Sequence, residues 1–330
     1  MQKIDFVIPW VDGKDEEWQK EKAKYNSKKI DTSNSENRYR DWENLQYWFR
    51  GVEKFANWVN RIHFITCGHL PKWLNTNNPK LNIVKHSDYI PKQYLPTFSA
   101  NPIELNLHRI EGLAEQFVYF NDDLFLCKEV KENEFFQNGL PRDLALADIF
   151  YPTEDKLWQS MLLNNVYVIN KNFNKKEVIK DNWSKWINLK YGKYVIKNIA
   201  LLNWNKFSSI QDRHLTSNML KSTYEKVWEK EYELLDKVSQ NKFRTEEDVT
   251  QYIFKWWQMC EGNFLPRKPY DGKVFSISKD LEEIVKSIEN QKYKIIALND
   301  TEVDVDFEKS KEAINKAFNK ILPEKSSFEL

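Results

Sequence analysis

The stretch Phe117-Val118-Tyr119-Phe120-Asn121-Asp122-Asp123-Leu124-Phe125-Leu126 constrains this chain more than any other. Four consecutive apolar or aromatic residues run into two adjacent carboxylates, and the apolar character then resumes. A run this short, rich in Val and aromatics, predicts a strand buried on both faces. In open α/β sheets the ligand crevice lies outside the carboxyl ends of the strands, so Asn121, Asp122 and Asp123 are expected to stand at a crevice. Hard oxygen ligands there suit Mg²⁺ or Mn²⁺ bound jointly with a substrate's phosphates. The same triplet also reads as a plain turn, because Asn and Asp are common turn formers. On the triplet alone both readings stand.

Composition removes several classes. A length of 330 residues suits two domains or one large α/β domain with insertions, and 41% apolar residues can fill its core. Fifty basic residues against 49 acidic ones leave a net charge of +1, so no nucleic-acid partner is expected. Cys67, Cys127 and Cys260 are far apart and show neither zinc spacing nor a disulfide framework. The start, Met1-Gln2-Lys3-Ile4-Asp5, carries no secretory apolar segment, so a cytoplasmic location is expected. The eight glycines stand where neither a dinucleotide fingerprint, a P-loop nor a Gly-x-Ser-x-Gly elbow can be written. A nucleotide would have to be held some other way.

Along the chain, Ile4–Ile8 reads as a first strand, closed by the turn Pro9-Trp10-Val11-Asp12-Gly13. Trp10 offers a plate that can stack a base, and Asp12 a carboxylate for a ribose hydroxyl or a cation. Equally, Asp12 can cap the helix expected from Glu16 to Tyr25. The polar stretch Asn26–Asn37 is the nearest approach to a disordered patch. Arg38 and Arg40 precede a helix carrying Trp42, Leu45, Phe49, Val52 and Phe55, with Asp41 as its expected N-cap. The arginines suit phosphate or, as plainly, solvated salt bridges. Arg61–Thr66 and Leu81–His86 read as strands joined through a short helix at Leu70–Leu74, a parallel crossover. His63 reads as a packed core imidazole, and His86 as the end of its strand. The stiff loop Leu95–Pro102 leads to a helix bearing Ile103, Leu107, Ile110 and Leu113, and that helix delivers the chain to the strand before Asp122 and Asp123. Loop, helix, strand and carboxylates in this order fit a nucleotide-sugar site in an α/β sheet. Near the end, a helix from Ser310, its expected N-cap, to Ile321 carries a packing stripe.

These residues resemble the Stealth family. The run Ile4–Gly13 resembles its first signature region, and Arg38–Asp41 through Asn121-Asp122-Asp123 its long second region, including Ala56-Asn57-Trp58-Val59, Leu95–Ser99 and Leu107-His108-Arg109-Ile110. Gln211-Asp212-Arg213-His214 with Lys221, then Asn241-Lys242-Phe243-Arg244 before Trp256-Trp257, resemble the third and fourth regions. One departure is His214-Leu215-Thr216, where the family often has His-x-Pro. The tail Ile321–Glu329 is similar to the ends of bacterial members, and on that resemblance the chain is expected to be complete. Members include bacterial capsule and cell-wall polysaccharide phosphotransferases and the eukaryotic N-acetylglucosamine-1-phosphotransferase of lysosomal enzyme tagging.

The resemblance implies transfer of hexose 1-phosphate from a UDP-sugar to a glycan hydroxyl, with release of UMP. Such a reaction needs cations and positioning more than covalent groups. Asp122 and Asp123 would hold Mg²⁺ or Mn²⁺, Arg244 would clamp phosphate, and His214 would take the acceptor's proton. Trp10 and Asp12 would bind the uridine end, with Arg38, Arg40 and Asn121 at the diphosphate. The expected fold is α/β, with a mostly parallel central sheet and a Rossmann-like or GT-A-like nucleotide-sugar site. Residues 1–140 would begin the catalytic core, 141–240 form an α-rich insertion on the acceptor side, and 241–330 complete the core. The partners would be a UDP-hexose and an oligosaccharide or lipid-linked glycan. A glycosyltransferase releasing UDP and a non-catalytic glycan binder are the alternatives. Over 183–207, Trp183, Trp186, Tyr191, Tyr194 and Trp204 alternate with lysines. That pattern suits peripheral contact with the inner face of an anionic membrane, or an ordinary helical subdomain with solvated lysines.

Overall fold

The computed structural model describes residues 3–25, 41–151, 153–269, 271–300 and 306–330. Its frame consists of strands β1 (Ile4–Pro9), β2 (Ile62–Thr66), β3 (Leu81–Lys85), β4 (Gln116–Tyr119), β5 (Leu124–Leu126), β6 (Ser217–Leu220), β7 (Gly272–Ser276) and β8 (Ile295–Asn299). The central sheet has the order β6-β4-β1-β2-β3. Within it β1 pairs in parallel with β2 and β4, β2 in parallel with β3, and β6 runs antiparallel to β4. A second sheet, in the order β7-β8-β5, takes up the chain just after the paired carboxylates.

The main helices are α1 (Glu16–Tyr25), α2 (Leu45–Phe55), α3 (Ala100–Leu105), α4 (Lys156–Asn172), α5 (Lys175–Asp181), α6 (Val195–Ala200), α7 (Lys221–Lys230), α8 (Tyr232–Ser239), α9 (Tyr252–Glu261), α10 (Ile277–Glu289) and α11 (Phe307–Ile321). Because side chains alternate along a strand, the central sheet divides its apolar residues between two layers. Phe6, Ile8, Phe64, Val118 and Phe120 join a core with α2, α10 and α11. Val7, Ile65, Phe117, Tyr119 and Met219 join another with α4, α7, α8 and α9. The strand before the carboxylates is therefore buried on both faces, as its composition predicts. Phe120 lies 4.8 Å from Phe6 and 5.5 Å from Trp48, ring centre to ring centre, and truncating such a side chain costs about 3–5 kcal/mol. Gly51 brings α2 against β5, since a Cβ there would stand 2.9 Å from the Leu126 carbonyl oxygen.

Several local expectations need correction. Helix α2 starts at Leu45 with Asn44 in the cap position, while Asp41 accepts only from the Glu43 amide, and Trp42 packs outside the helix on Phe307. Leu70–Leu74 forms turns with an isolated bridge from Leu74 to Glu329, so β2 passes to β3 without a helix there. His86 opens a helical turn, His86–Tyr89, instead of closing its strand. The helix expected through 103–113 breaks at Asn106 into α3 and a 3₁₀ turn, Leu107–Arg109, and the Asn106 side chain bonds back to the Pro102 carbonyl. Ser99 caps α3. Asp15, not Asp12, caps α1 through the Trp18 amide, and Asp306, not Ser310, caps α11. At Asn106, Ser99, Asp15 and Asp306 a short polar side chain takes a backbone bond at a helix end, and periodicity does not register that.

One buried polar cluster ties the central sheet together. Asp5 on β1 accepts from Asn60 Nδ2 (2.6 Å), His63 Nε2 (3.0 Å) and the Ala114 amide (2.8 Å). Asn82 Nδ2 lies 2.9 Å from His63 Nδ1 and can donate to it, leaving the Nε2 proton for Asp5. Burial works to raise the Asp5 carboxyl, but the bonds from His63, Asn60 and Ala114 outweigh it and hold it below the usual carboxylate value. A group with a lowered folded pKa stabilises above its unfolded pKa of ~3.9 and loses that contribution as pH falls through the folded value. Asp5→Ala is expected to cost about 3 kcal/mol at pH 7 by urea unfolding, with the gap to wild type closing below about pH 4. A pH-independent gap would contradict the charged assignment.

Candidate active site

β4 ends at Tyr119, and the Phe120 amide still donates to Val7 in the central sheet (2.9 Å). Asp122 and Asp123 then form a turn closed by the Leu124 amide on the Asn121 carbonyl (3.2 Å), after which β5 joins the second sheet. The pair is a turn, and it stands outside the carboxyl end of a buried strand. The Asp123 carbonyl accepts from Leu298 of β8 (3.0 Å), so both sheets grip the turn. Asp122 is exposed on the turn, yet desolvation of its carboxyl by the surrounding protein, together with the like charge on Asp123, pushes it up to about 7.

Asp123 meets the second half of the chain through His214, whose Nε2 lies 3.0 Å from Asp123 Oδ2. His214 has a positive φ of 47°, an uncommon conformation for a non-glycine residue. Its amide donates to Asp212 Oδ1 (2.8 Å), and Asp212 Oδ2 accepts from Lys255 of α9 (2.8 Å). Lys255 also lies 3.6 Å from Asp143, which stands 3.8 Å from Arg267. Lys255, Asp143 and Arg267 are buried, and the Asp212 side chain is only 7% exposed. Desolvation opposes charge on His214, but the bond to Asp123 and the charges of Asp123, Asp212 and Glu104 win and raise it to about 9. At neutral pH His214 therefore rests as the imidazolium, facing Asp123.

Glu104 on α3, absent from the sequence reading, borders the same site. Tyr119 donates to its Oε1 (2.8 Å), and burial raises its pKa against the opposing pull of Tyr119, Arg244 and His214. Arg244 therefore stands within charge range of Glu104. Its loop is fixed by the Phe98 amide on the Lys242 carbonyl (2.9 Å) and by Phe98 stacking on Phe243 at 5.5 Å. An acid set between Ile103, Leu105 and Leu107 was the available signal for Glu104, as Lys255 within the aromatic helix was for the buried network.

At the end of β1, Trp10 is half-buried against Phe64 (5.8 Å) and His69 (5.2 Å), so part of its ring is already engaged. The Asp12 amide donates to His69 Nε2 (2.7 Å), and Asp12 Oδ1 accepts from the Lys14 amide (2.9 Å). His69, also missed from sequence, holds this loop in shape. Asn121 belongs to the carboxylate turn. Arg38 and Arg40 lie outside the described residues.

Among the described residues no group of three His, Cys, Asp or Glu side chains converges as a metal cage. Mg²⁺, however, is commonly held by one or two carboxylates together with water and substrate phosphates. Asp122 and Asp123 fit that pattern, and Asp123 Oδ1 is buried without a hydrogen-bond partner, leaving one hard oxygen for a cation.

Removing the cation of the buried network should expose its role. Lys255→Met leaves the Asp212 carboxylate without its ion partner, and a loss of about 3–5 kcal/mol is expected by chemical unfolding. Lys255→Arg should recover part of that loss, whereas a Met variant as stable as wild type would contradict the assignment.

Residues 2–30 match the family model for Stealth protein CR1, conserved region 1, and residues 38–143 match Stealth protein CR2, conserved region 2. Trp10, Asp12, Glu104 and Asn121–Asp123 fall inside the matched regions, and His214 and Arg244 outside them. The chain is 45% identical to a capsular polysaccharide phosphotransferase WcwK of Streptococcus pneumoniae, covering 100% of this chain and 98% of that protein. It is 40% identical to the receptor polysaccharide phosphotransferase WefC of Streptococcus gordonii, covering 100% of each. With the exopolysaccharide phosphotransferase cps2G of Lactiplantibacillus plantarum it shares 38% identity, covering 99% of this chain and 96% of that protein. Relatives this similar over their whole length settle the assignment: the chain belongs to the Stealth family.

Proposed function

We propose that this protein is a phosphotransferase of capsular or cell-wall polysaccharide synthesis, moving hexose 1-phosphate from a UDP-sugar to a glycan hydroxyl and releasing UMP. Full-length similarity to polysaccharide phosphotransferases supports the reaction class. The observation that carries the assignment of residues is the Asp123–His214 contact at the carboxyl end of β4, with Asp122 beside it. A GT-A-like nucleotide-sugar site is the finer reading of this cleft.

In this reaction the acceptor oxygen bonds to the β-phosphorus, and the bond from that phosphorus to the UMP oxygen breaks. The hydroxyl proton passes to His214 Nε2. The proton that His214 holds toward Asp123 at rest must first pass to solvent, so His214 enters as the neutral imidazole. Arg244, permanently charged and fork-shaped, would stabilise the phosphoryl oxygens, with Glu104 beneath balancing its charge. Trp10 and Asp12, held by His69, would receive the uridine end, with Asn121, Arg38 and Arg40 toward the diphosphate. Asp122 and Asp123 would hold Mg²⁺ or Mn²⁺, which when bound offsets the negative charge of the diphosphate. Residues 141–240 would form the acceptor side.

Incubation with a panel of UDP-hexoses, Mg²⁺ and an oligosaccharide acceptor should yield UMP and a phosphate-bridged product. UDP in place of UMP would overturn phosphotransfer and leave a glycosyltransferase. His214→Ala is expected to lower kcat/KM about a thousandfold while leaving the circular dichroism unchanged. Chelation with EDTA should abolish turnover and added Mg²⁺ restore it; turnover indifferent to EDTA would remove the cation from this reading.

A further inference from the structure

The helical layer carries an apolar surface that its own core does not absorb. Trp183 is 52% exposed, Leu189 91%, Ile196 64%, Ile199 50% and Trp204 54%. Ile196 and Ile199 stand three residues apart on α6 and so share a face. Leu202, three residues further on, meets Trp183 across a hollow of about 460 Å³ that Ile179, Lys176 and Lys180 also line. Trp183, Ile179 and Leu202 therefore share one neighbourhood, and Ile196 and Ile199 share one face of α6 within the same stretch of chain.

Its charge has one sign. From residue 182 to 211 the chain has five lysines and no Asp or Glu. Lys197 is paired with Asp148 (2.7 Å). Lys185, Lys190 and Lys206 reach backbone carbonyls of Gly262, Pro266 and Asn170, which leaves their charge unneutralised. Lys193 is exposed beside Tyr194. Lys176 and Lys180 add to this on α5, against the acids Glu177 and Asp181. The patch also adjoins the cleft, because the Arg213 guanidinium stacks over the Tyr194 ring at 4.3 Å, one residue before His214.

Exposed Trp, Leu and Ile among unneutralised lysines complement a surface that is apolar at shallow depth and anionic above it. A bilayer of anionic phospholipid has this profile, with indole at the headgroup level, aliphatic side chains at the acyl boundary and lysines among the phosphates. A second copy of the same face would bring lysines against lysines, which electrostatic complementarity disfavours. We propose that the Trp183–Trp204 face docks the protein peripherally on an anionic phospholipid bilayer, placing the cleft beside the membrane surface.

Flotation of the full chain with vesicles tests this. Association is expected with vesicles containing phosphatidylglycerol and not with phosphatidylcholine alone, and it should weaken as salt rises. A basic residue near such a surface contributes about fivefold in partition, so the double variant Lys190→Glu, Lys193→Glu should lose at least about tenfold. The pair Leu189→Ser, Ile196→Ser should also weaken flotation, with circular dichroism and unfolding midpoint unchanged for both variants. Failure to float with phosphatidylglycerol vesicles would overturn the proposal. So would flotation indifferent to both pairs, or sedimentation showing the face consumed in a dimer or by an acidic protein partner.

Discussion

His214 and Asp123 stand 91 residues apart in the chain and meet at one 3.0 Å contact, and the character of the cleft depends on it. The aspartate comes from the turn that leaves the central sheet, and the histidine from a loop anchored to a helix in the opposite layer. Without the contact, the first half of the chain would present two carboxylates with only each other's charge to answer. With it, one carboxylate gains a cationic partner, while desolvation and the neighbouring Asp123 push the other up to about 7 against the pull of His214. Two adjacent aspartates thus occupy unlike electrostatic positions, as paired carboxylates at reactive sites commonly do.

The contact is maintained from below. His214 adopts a backbone conformation that few side chains choose, and such conformations persist only where the surroundings over-determine them. Here the surroundings are the Asp212 carboxylate, Lys255, Asp143 and Arg267, opposite charges alternating through the interior. The family-typical proline two residues after the histidine is Thr216 in this chain, and the loop is held by ionic bonds to α9. Ionic anchoring of this kind contributes more to a unique geometry than to net stability.

Much of this was legible in the sequence. Strands betray themselves through short apolar runs, and the run at 117–120 marked a strand covered on both faces because each residue had to find a core. The carboxylate turn and the identities of His214 and Arg244 were legible through motif resemblance, but their convergence was not, since no local pattern encodes a contact across 91 residues. Helix limits were the weakest reading. Asn106 ended one helix early by bonding its own backbone, and Asp15 and Asp306 took caps assigned to other residues. Glu104 and Lys255 were overlooked for a shared reason. Each is a single charge within an apolar stretch, where periodicity counts the neighbours and passes over the exception.

Asp122 and Asp123 lie between two sheets, with β4 committed to one and β5 to the other, and Gly51 drawing α2 against the departing strand. Such a turn resembles a bolt through two plates more than a flap. The carboxylate turn is then a fixed edge of the proposed site, and adaptation to acceptors of different size would fall to the helical layer of residues 141–240. In a family whose members build unlike polysaccharides, that arrangement would let acceptor preference drift through the helical layer while the phosphate-handling edge keeps its shape.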